Sequence, residues 1–491
     1  MTEGSVVEVL PAATIEGGSR VTETAVVDAL PTADTKRGSG VSESSAERGP
    51  FARALDVTVR TEWRMTSAFE VAIVLGLVIA GIGTLTSRVD VVLIALPLLV
   101  SAAIGFDKRP RVRAPSILRV DVLRSADLEG KSQFDYRIAV EAPEGTELVH
   151  LRVITESSFS HELFLAPRHD AVLTGRLPVL HSGRQRVVDV SYRLTGVDGG
   201  WLSTPVPREI VERVVDPVIA PVASVPLPHR LTGLTGLHRS ARAGDGGEFR
   251  DLHPYAPGDR LRRIDWKATA RRSQGFGDLY VRRTDATSDA TLVLVIDSRE
   301  DVPERVEDWL DRTSSSGSGL TSMDLAREAA SSLAVAAIGT GDRVGLIDLS
   351  AYAGVVPAGG GKRHLERLLR RIAVSRPSGS PLSRRRAPVV PPGAIVYLLS
   401  AFLDDDVTAI ALLWRAAGHR VIAVDVLPTP LLDGSEPLTR IAHRIVMAER
   451  RRRIADTLAN GVELFRWQED AEQPSRVVAL RTLARAGRRR R

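Results

Sequence analysis

The chain has 491 residues, enough for two or three domains, and 43% of them are hydrophobic, as in proteins that bury real cores. Lys and Arg number 66 against 60 Asp and Glu, a net charge of +6 that is too mild to argue for nucleic acid. The absence of Cys excludes a disulfide framework, a thiolate nucleophile and cysteine-ligated zinc.

Residues Thr2 to Val41 are two gap-free copies of one unit, TEGSVVEVLPAATIEGGSRV and TETAVVDALPTADTKRGSGV, with a fading third copy from Ser42. Each copy offers one short apolar patch, too little to offset the entropy of ordering its backbone, so residues 1–50 are expected to be a disordered tail. The first apolar run follows Met65, so a cleaved signal peptide is not expected. AFEVAIVLGLVIAGIGTL and VDVVLIALPLLVSAAIGF, separated by Thr86, Ser87 and Arg88, are apolar on every face and predict a transmembrane helix hairpin over 66–106. Arg53, Arg60, Arg64 and Trp63 precede it and Lys108, Arg109, Arg111 and Arg113 follow, against Arg88 alone in the loop. The positive-inside rule then places both flanks, and both termini, in the cytoplasm of a two-helix protein of the cell membrane.

Short segments alternating at period two, such as FDYRIAVEA and RQRVVDVSYRLTG, predict an antiparallel β-sandwich-like module over 116–215. The Pro-rich connector of 216–245 is expected to run extended across the surface. From Thr291, TLVLVID, RVGLIDL, AIVYLLS and RVIAVDV alternate with helical patterns, which predicts a parallel α/β sheet over 291–430 with helices on both faces. An Arg-rich helical region fills 431–491, where Arg450–Arg453 and Arg488–Arg491 fit either anionic headgroups or a solvated face.

The most unusual passage lies in 246–290, GGEFRDLHPYAPGDRLRRIDWKATARR. Pro257 and Gly258 suit the centre of a type II turn, which delivers Asp259 beside Arg260, Arg262 and Arg263, and Asp265 beside Trp266. Carboxylates among guanidiniums predict an ion network clamping this segment onto the α/β domain. A hydrolase using His253, Asp259 and Asp265 is the enzymatic alternative. No zinc spacing, phosphate loop or nucleophile elbow is present in the sequence, and no catalytic residue is assigned.

Glu248, Phe249, Tyr255, Pro257, Gly258, Asp259, Arg262, Ile264, Asp265, Trp266, Ala270 and Arg271, followed by DLYVRR and a strand ending in Asp, resemble the bacterial domain of unknown function 58 family. That resemblance implies a membrane hairpin, a β module and a von Willebrand factor A-like, Rossmann-type domain. It also implies an accessory protein that partners a MoxR-type AAA+ ATPase in maturing a client the sequence does not identify, with no enzyme activity and no cofactor. The A-like likeness further implies a Mg²⁺ site built on Asp-x-Ser-x-Ser, a Thr and a final Asp. Asp297 keeps the first position, but Arg299 and Asp301 replace the two Ser, AGGGKRH lacks the Thr, and Ala401 replaces the last Asp, so no metal is expected. The weaker alternative is a noncanonical cation site of Asp297, Asp301 and Asp404 with its neighbours, set against Asp404–Asp406 merely capping a helix.

Overall fold

A computed structural model of the chain describes residues 52–110, 115–126, 131–155, 160–167, 172–229, 231, 236–272, 279–309, 319–350, 354–377, 387–469 and 475–489. The tandem unit of residues 2–41 lies outside them. The described chain forms two units, the second comprising Leu180–Arg184 and everything from Val214 onward.

The first unit consists of β1 (Ala52–Arg60), β2 (Trp63–Met65), α1 (Ser67–Leu85), α2 (Val89–Asp107), β3 (Pro115–Ala126), β4 (Ser132–Glu141), β5 (Thr146–Thr155), β6 (Ser160–Leu165), β7 (Val172–Pro178), β8 (Gly183–Gly196), β9 (Trp201–Ser203) and β10 (Glu209–Val215). One sheet runs β1–β3–β4–β7 and the other β2–β9–β8–β5–β6, with β10 also paired to β8. Period-two patterning does what it should: Leu118, Val120 and Val122 on β3 and Val188, Val190, Tyr192 and Leu194 on β8 are buried. A buried hydrogen bond of 2.7 Å between Ser116 Oγ and the Tyr192 hydroxyl joins the two sheets.

β1 pairs with β3 and β2 with β9. The module therefore begins before the hairpin, and the expected boundary at 116 is too late. The helices leave one module and return to it. Each is long and apolar enough to cross a membrane, with 17% of its apolar window buried. The base of the pair is fastened to the turn before β9. Thr66 Oγ1 caps α1 by accepting the Phe69 N–H and donates to Gly199 O at 2.9 Å, and Trp201 Nε1 donates to Gly105 O at 3.0 Å. Gly105 has to lack a side chain, because a Cβ there would stand 2.7 Å from the Phe69 ring.

The second unit contains β11 (His238–Pro254), α3 (Trp266–Arg272), β12 (Tyr280–Ser288), β13 (Thr291–Ile296), α4 (Ser322–Gly339), β14 (Arg343–Asp348), β15 (Val356–Gly359), α5 (Lys362–Ala373), β16 (Ile395–Ser400), α6 (Asp405–Ala416), β17 (Arg420–Asp425), α7 (Pro437–Ala459), β18 (Glu463–Arg466) and α8 (Arg476–Arg489). Its main sheet has the order β15–β14–β13–β16–β17–β18, parallel except for the β15 edge. On β13, Leu292, Leu294 and Ile296 join a core that includes α4 and α5, while Val293 and Val295 join another that includes α6. Both faces are thus covered, as all-parallel strands require.

Two expected boundaries change here. The sheet continues past residue 430, because β18 pairs with β17 and Trp467 just beyond it is fully buried. The Pro-rich connector ends where β11 begins at His238 rather than at 245, and it is not superficial: Ala220 and Leu231 belong to the core, Ala220 N–H donates to Ser332 Oγ at 2.9 Å, and Tyr397 donates its hydroxyl to Pro226 O at 2.8 Å. Burial pushes the Tyr397 phenol well up.

Candidate functional site

The segment between β11 and β12 is built from two acid-centred motifs. Pro257 and Gly258 form the expected turn: Asp259 N–H donates to Ala256 O at 3.0 Å, and Gly258 takes a φ of +103°. Asp259 Oδ2 then accepts the Ala256 N–H at 2.9 Å, so the acid closes its own turn. Asp265 Oδ1 accepts the N–H groups of Lys267 and Ala268 at 3.1 and 2.9 Å and caps α3. Both motifs hang on the start of β12, since Tyr255 N–H reaches Leu279 O at 2.7 Å and Asp265 N–H reaches Tyr280 O at 2.9 Å.

This is not the buried ion network that the sequence suggests. Among the described residues no ion pair joins Arg262 to Asp259 or Asp265, and Glu248, Arg262 and Arg271 are exposed. His253 makes no described hydrogen bond to Asp259 or Asp265, whose oxygens serve main-chain N–H groups, so the three are not assembled as a catalytic set. The segment instead displays its apolar groups: Phe249 is 48% exposed, Tyr255 37%, Leu261 66% and Trp266 67%, with the Arg282 guanidinium 5.4 Å from the Phe249 ring centroid. Ile264 turns inward, bridging to Val281.

A second constellation lies at the carboxyl ends of β13 and β16. These strands are neighbours from which the chain winds off in opposite directions, the topological switch point where open α/β sheets receive ligands. Asp297 follows β13 and binds the Arg299 guanidinium side-on, Nε to Oδ1 at 2.8 Å and Nη2 to Oδ2 at 3.1 Å. The same guanidinium reaches Asp404 Oδ2 at 2.6 Å and Asp406 Oδ2 at 3.5 Å, with the Arg299 side chain only 4% exposed. Ser400 Oγ donates to Asp297 Oδ2 at 2.7 Å and accepts the N–H of Phe402, a buried residue held at a φ of +54°. Burial works against the Arg299 charge, but hydrogen bonds and charge from Asp297 and Asp404 outweigh it and hold the pKa above the usual guanidinium value.

Asp301 does not join this group. Its Oδ1 accepts from Met323 N–H at 3.0 Å and Ser322 Oγ at 3.3 Å, at the start of α4. Ser298, between Asp297 and Arg299, donates to Asp348 at the end of β14. Ala401 contributes its carbonyl, which accepts from Arg450 Nε at 2.7 Å. The residual opening, lined by Asp297, Arg299, Ser322, Ser400 and Asp404 among others, has a volume of about 20 Å³, roughly one water.

The family model for protein of unknown function DUF58 matches residues 251–430. Over that stretch the chain is similar to the DUF58 family. No curated protein and no solved structure matches it. The DUF58 match takes in both constellations, from Tyr255 to Arg271 and from Asp297 to Asp406, while Glu248 and Phe249 stand just before it.

Two residues that hold the DUF58 site together lie outside the match. Arg450 is buried against Asp425 and Ala401 O, and Arg453 pairs with Asp405 at 2.6 Å. AERRRR reads as a solvated or lipid-facing run, yet 450 and 453 share one face of α7 at helical spacing. That spacing is the one signal that could have separated them from their exposed neighbours Arg451 and Arg452.

Proposed function

We propose that this DUF58 protein is a membrane-anchored adaptor that acts with a MoxR-type AAA+ ATPase in maturing a client protein, through an α/β unit of the von Willebrand factor A type that works without metal. The α1–α2 hairpin is the anchor, and its cationic flanks put the folded units in the cytoplasm. The supporting observation is the exposure of Trp266. Large aromatics dominate the energetics of protein interfaces. Trp266 is 67% exposed on a helix whose other exposed side chains include Lys267 and Arg271, with Arg262 just before it. An aromatic anchor with a cationic rim suits an acidic protein surface. Asp259 and Asp265 are occupied in shaping the main chain, which favours binding over catalysis.

The test is capture of a purified MoxR-type ATPase by the full chain in detergent. Trp266→Ala and Arg262→Glu should leave the melting midpoint unchanged and abolish capture. Undiminished capture by both variants would remove the segment from the interface, and the absence of capture by the unmodified protein would remove the ATPase.

A further inference from the structure

A hard divalent cation at the β13–β16 switch point would need about six oxygens at roughly 2.0–2.6 Å, free of competing hydrogen bonds. The residues present do not fit one. Both oxygens of Asp297 accept from Arg299, and Oδ2 accepts from Ser400 as well. Asp404 and Asp406 each turn Oδ2 to the same guanidinium. Asp301 is drawn off to α4, and Ala401 has no side-chain oxygen to offer. A second cation in this space would also face the full charge of Arg299.

We infer that Arg299 is a tethered cation that takes the place of a divalent ion at the switch point, so that the two loops are held together by a guanidinium and the edge is metal-independent. A guanidinium suits the task. Its planar fork meets Asp297 bidentately along one edge and leaves the remaining N–H groups for Asp404 at the N-cap of α6 and Asp406 in its first turn. Its single charge is smaller than that of a metal ion, and α7 adds to it: Arg453 takes up Asp405, and Arg450 holds the loop by the Ala401 carbonyl. Three arginines thus secure the Ala401–Asp404 loop and the first turn of α6. The inference rests on the metal-free part of the proposed function, and on neither the adaptor role nor any partner, so a failed capture experiment leaves it standing.

The experiment follows thermal unfolding of the full chain in detergent, with chelator or with millimolar Mg²⁺, Mn²⁺ or Ca²⁺ alone. The unmodified protein should melt at the same temperature in every condition. Arg299→Ser removes the guanidinium and leaves Asp297, Asp404, Asp406 and two hydroxyls facing one another. It should melt several degrees lower in chelator and recover part of that loss with Mn²⁺ or Ca²⁺. Should Arg299→Ser not fold, Arg299→Gln, which keeps a planar polar group without the charge, is read in the same way. A metal-dependent rise in the unmodified protein overturns the inference, and so does a charge-removing variant that melts normally in chelator or ignores all three ions.

Discussion

Asp404 serves Arg299 and its own helix with different oxygens: Oδ2 accepts from Arg299 Nη2 at 2.6 Å, while Oδ1 accepts the Val407 N–H at 3.2 Å and caps α6. Helix capping and the cross-loop ion pair are therefore properties of one side chain, and substitution can separate them. Asp404→Asn keeps an oxygen for the cap and loses the charge. Asp404→Ala loses both, the cap alone costing about 1 kcal/mol. Urea unfolding should rank the unmodified protein above Asp404→Asn and that above Asp404→Ala. An Asp404→Asn variant as stable as the unmodified protein would mean that its charge is idle.

Two carboxylates near the start of α4 should answer pH with opposite signs. Burial would push Asp324 up, but hydrogen bonds from His181 at 2.8 Å and from Ser182 N–H and Oγ at 2.7 and 2.9 Å outweigh it and hold the group below the usual carboxylate range. Its contribution to stability is complete above that range and is lost as pH falls below it. Asp301 is raised by burial, with Asp324 as a neighbouring like charge. Its contribution is complete below the ordinary range and is lost as pH rises through its elevated value. Asp324→Asn should therefore lower the melting midpoint at neutral pH and flatten the acid limb. Asp301→Asn, which keeps an acceptor for the Met323 N–H, should hold or raise the neutral midpoint. Melting curves across mildly acid to neutral buffers check both.

Within the DUF58 segment, folding and display should come apart. Gly258→Ala forces a side chain to a φ of +103° and should cost about 1–2 kcal/mol. Asp265→Ala removes the α3 cap, at about 1 kcal/mol. Trp266→Ala and Leu261→Ala, whose side chains are 67% and 66% exposed as whole residues, should stay within about 0.5 kcal/mol of the unmodified protein. Chemical denaturation separates the two sets. A large loss at Trp266 would make it a packing residue and undo its reading as an interface anchor.

What the sequence disclosed was whatever local chemistry settles. Pro257 and Gly258 announce their turn because proline presets one φ and glycine permits the other. The hairpin announces itself by apolar faces all round, and β13 by an unbroken Val/Leu/Ile run. The meeting of Asp297 with Asp404 and its neighbours at the sheet edge was foreseen as the weaker cation-site alternative, but not that the Arg299 guanidinium would bind them all, since that depends on the neighbouring placement of β13 and β16, which no local pattern encodes. The ion network expected around Asp259 went wrong for the reverse reason: nearby opposite charges look paired in a sequence, but turn and cap geometry gave the carboxylates to main-chain N–H groups first. β1 was missed although Leu55, Val57 and Val59 alternate, since the long apolar run after it draws the boundary.

The pairing of β1 with β3 and of β2 with β9 gives the hairpin a strong topological test. A hairpin that spans the bilayer must expose its loop on the side opposite the module to which both its ends return. The chain contains no Cys, so each engineered thiol is the sole one. Ser87→Cys sits in the loop between α1 and α2, and Glu144→Cys is an exposed position between β4 and β5. On intact cells a membrane-impermeant maleimide should label Ser87→Cys at once and Glu144→Cys only after permeabilisation. Reversed labelling would keep the hairpin and invert its direction, against the arginine flanks. Labelling of both from one side would mean that α1 and α2 do not cross, and the anchor would have to be a helix pair lying against some other apolar surface.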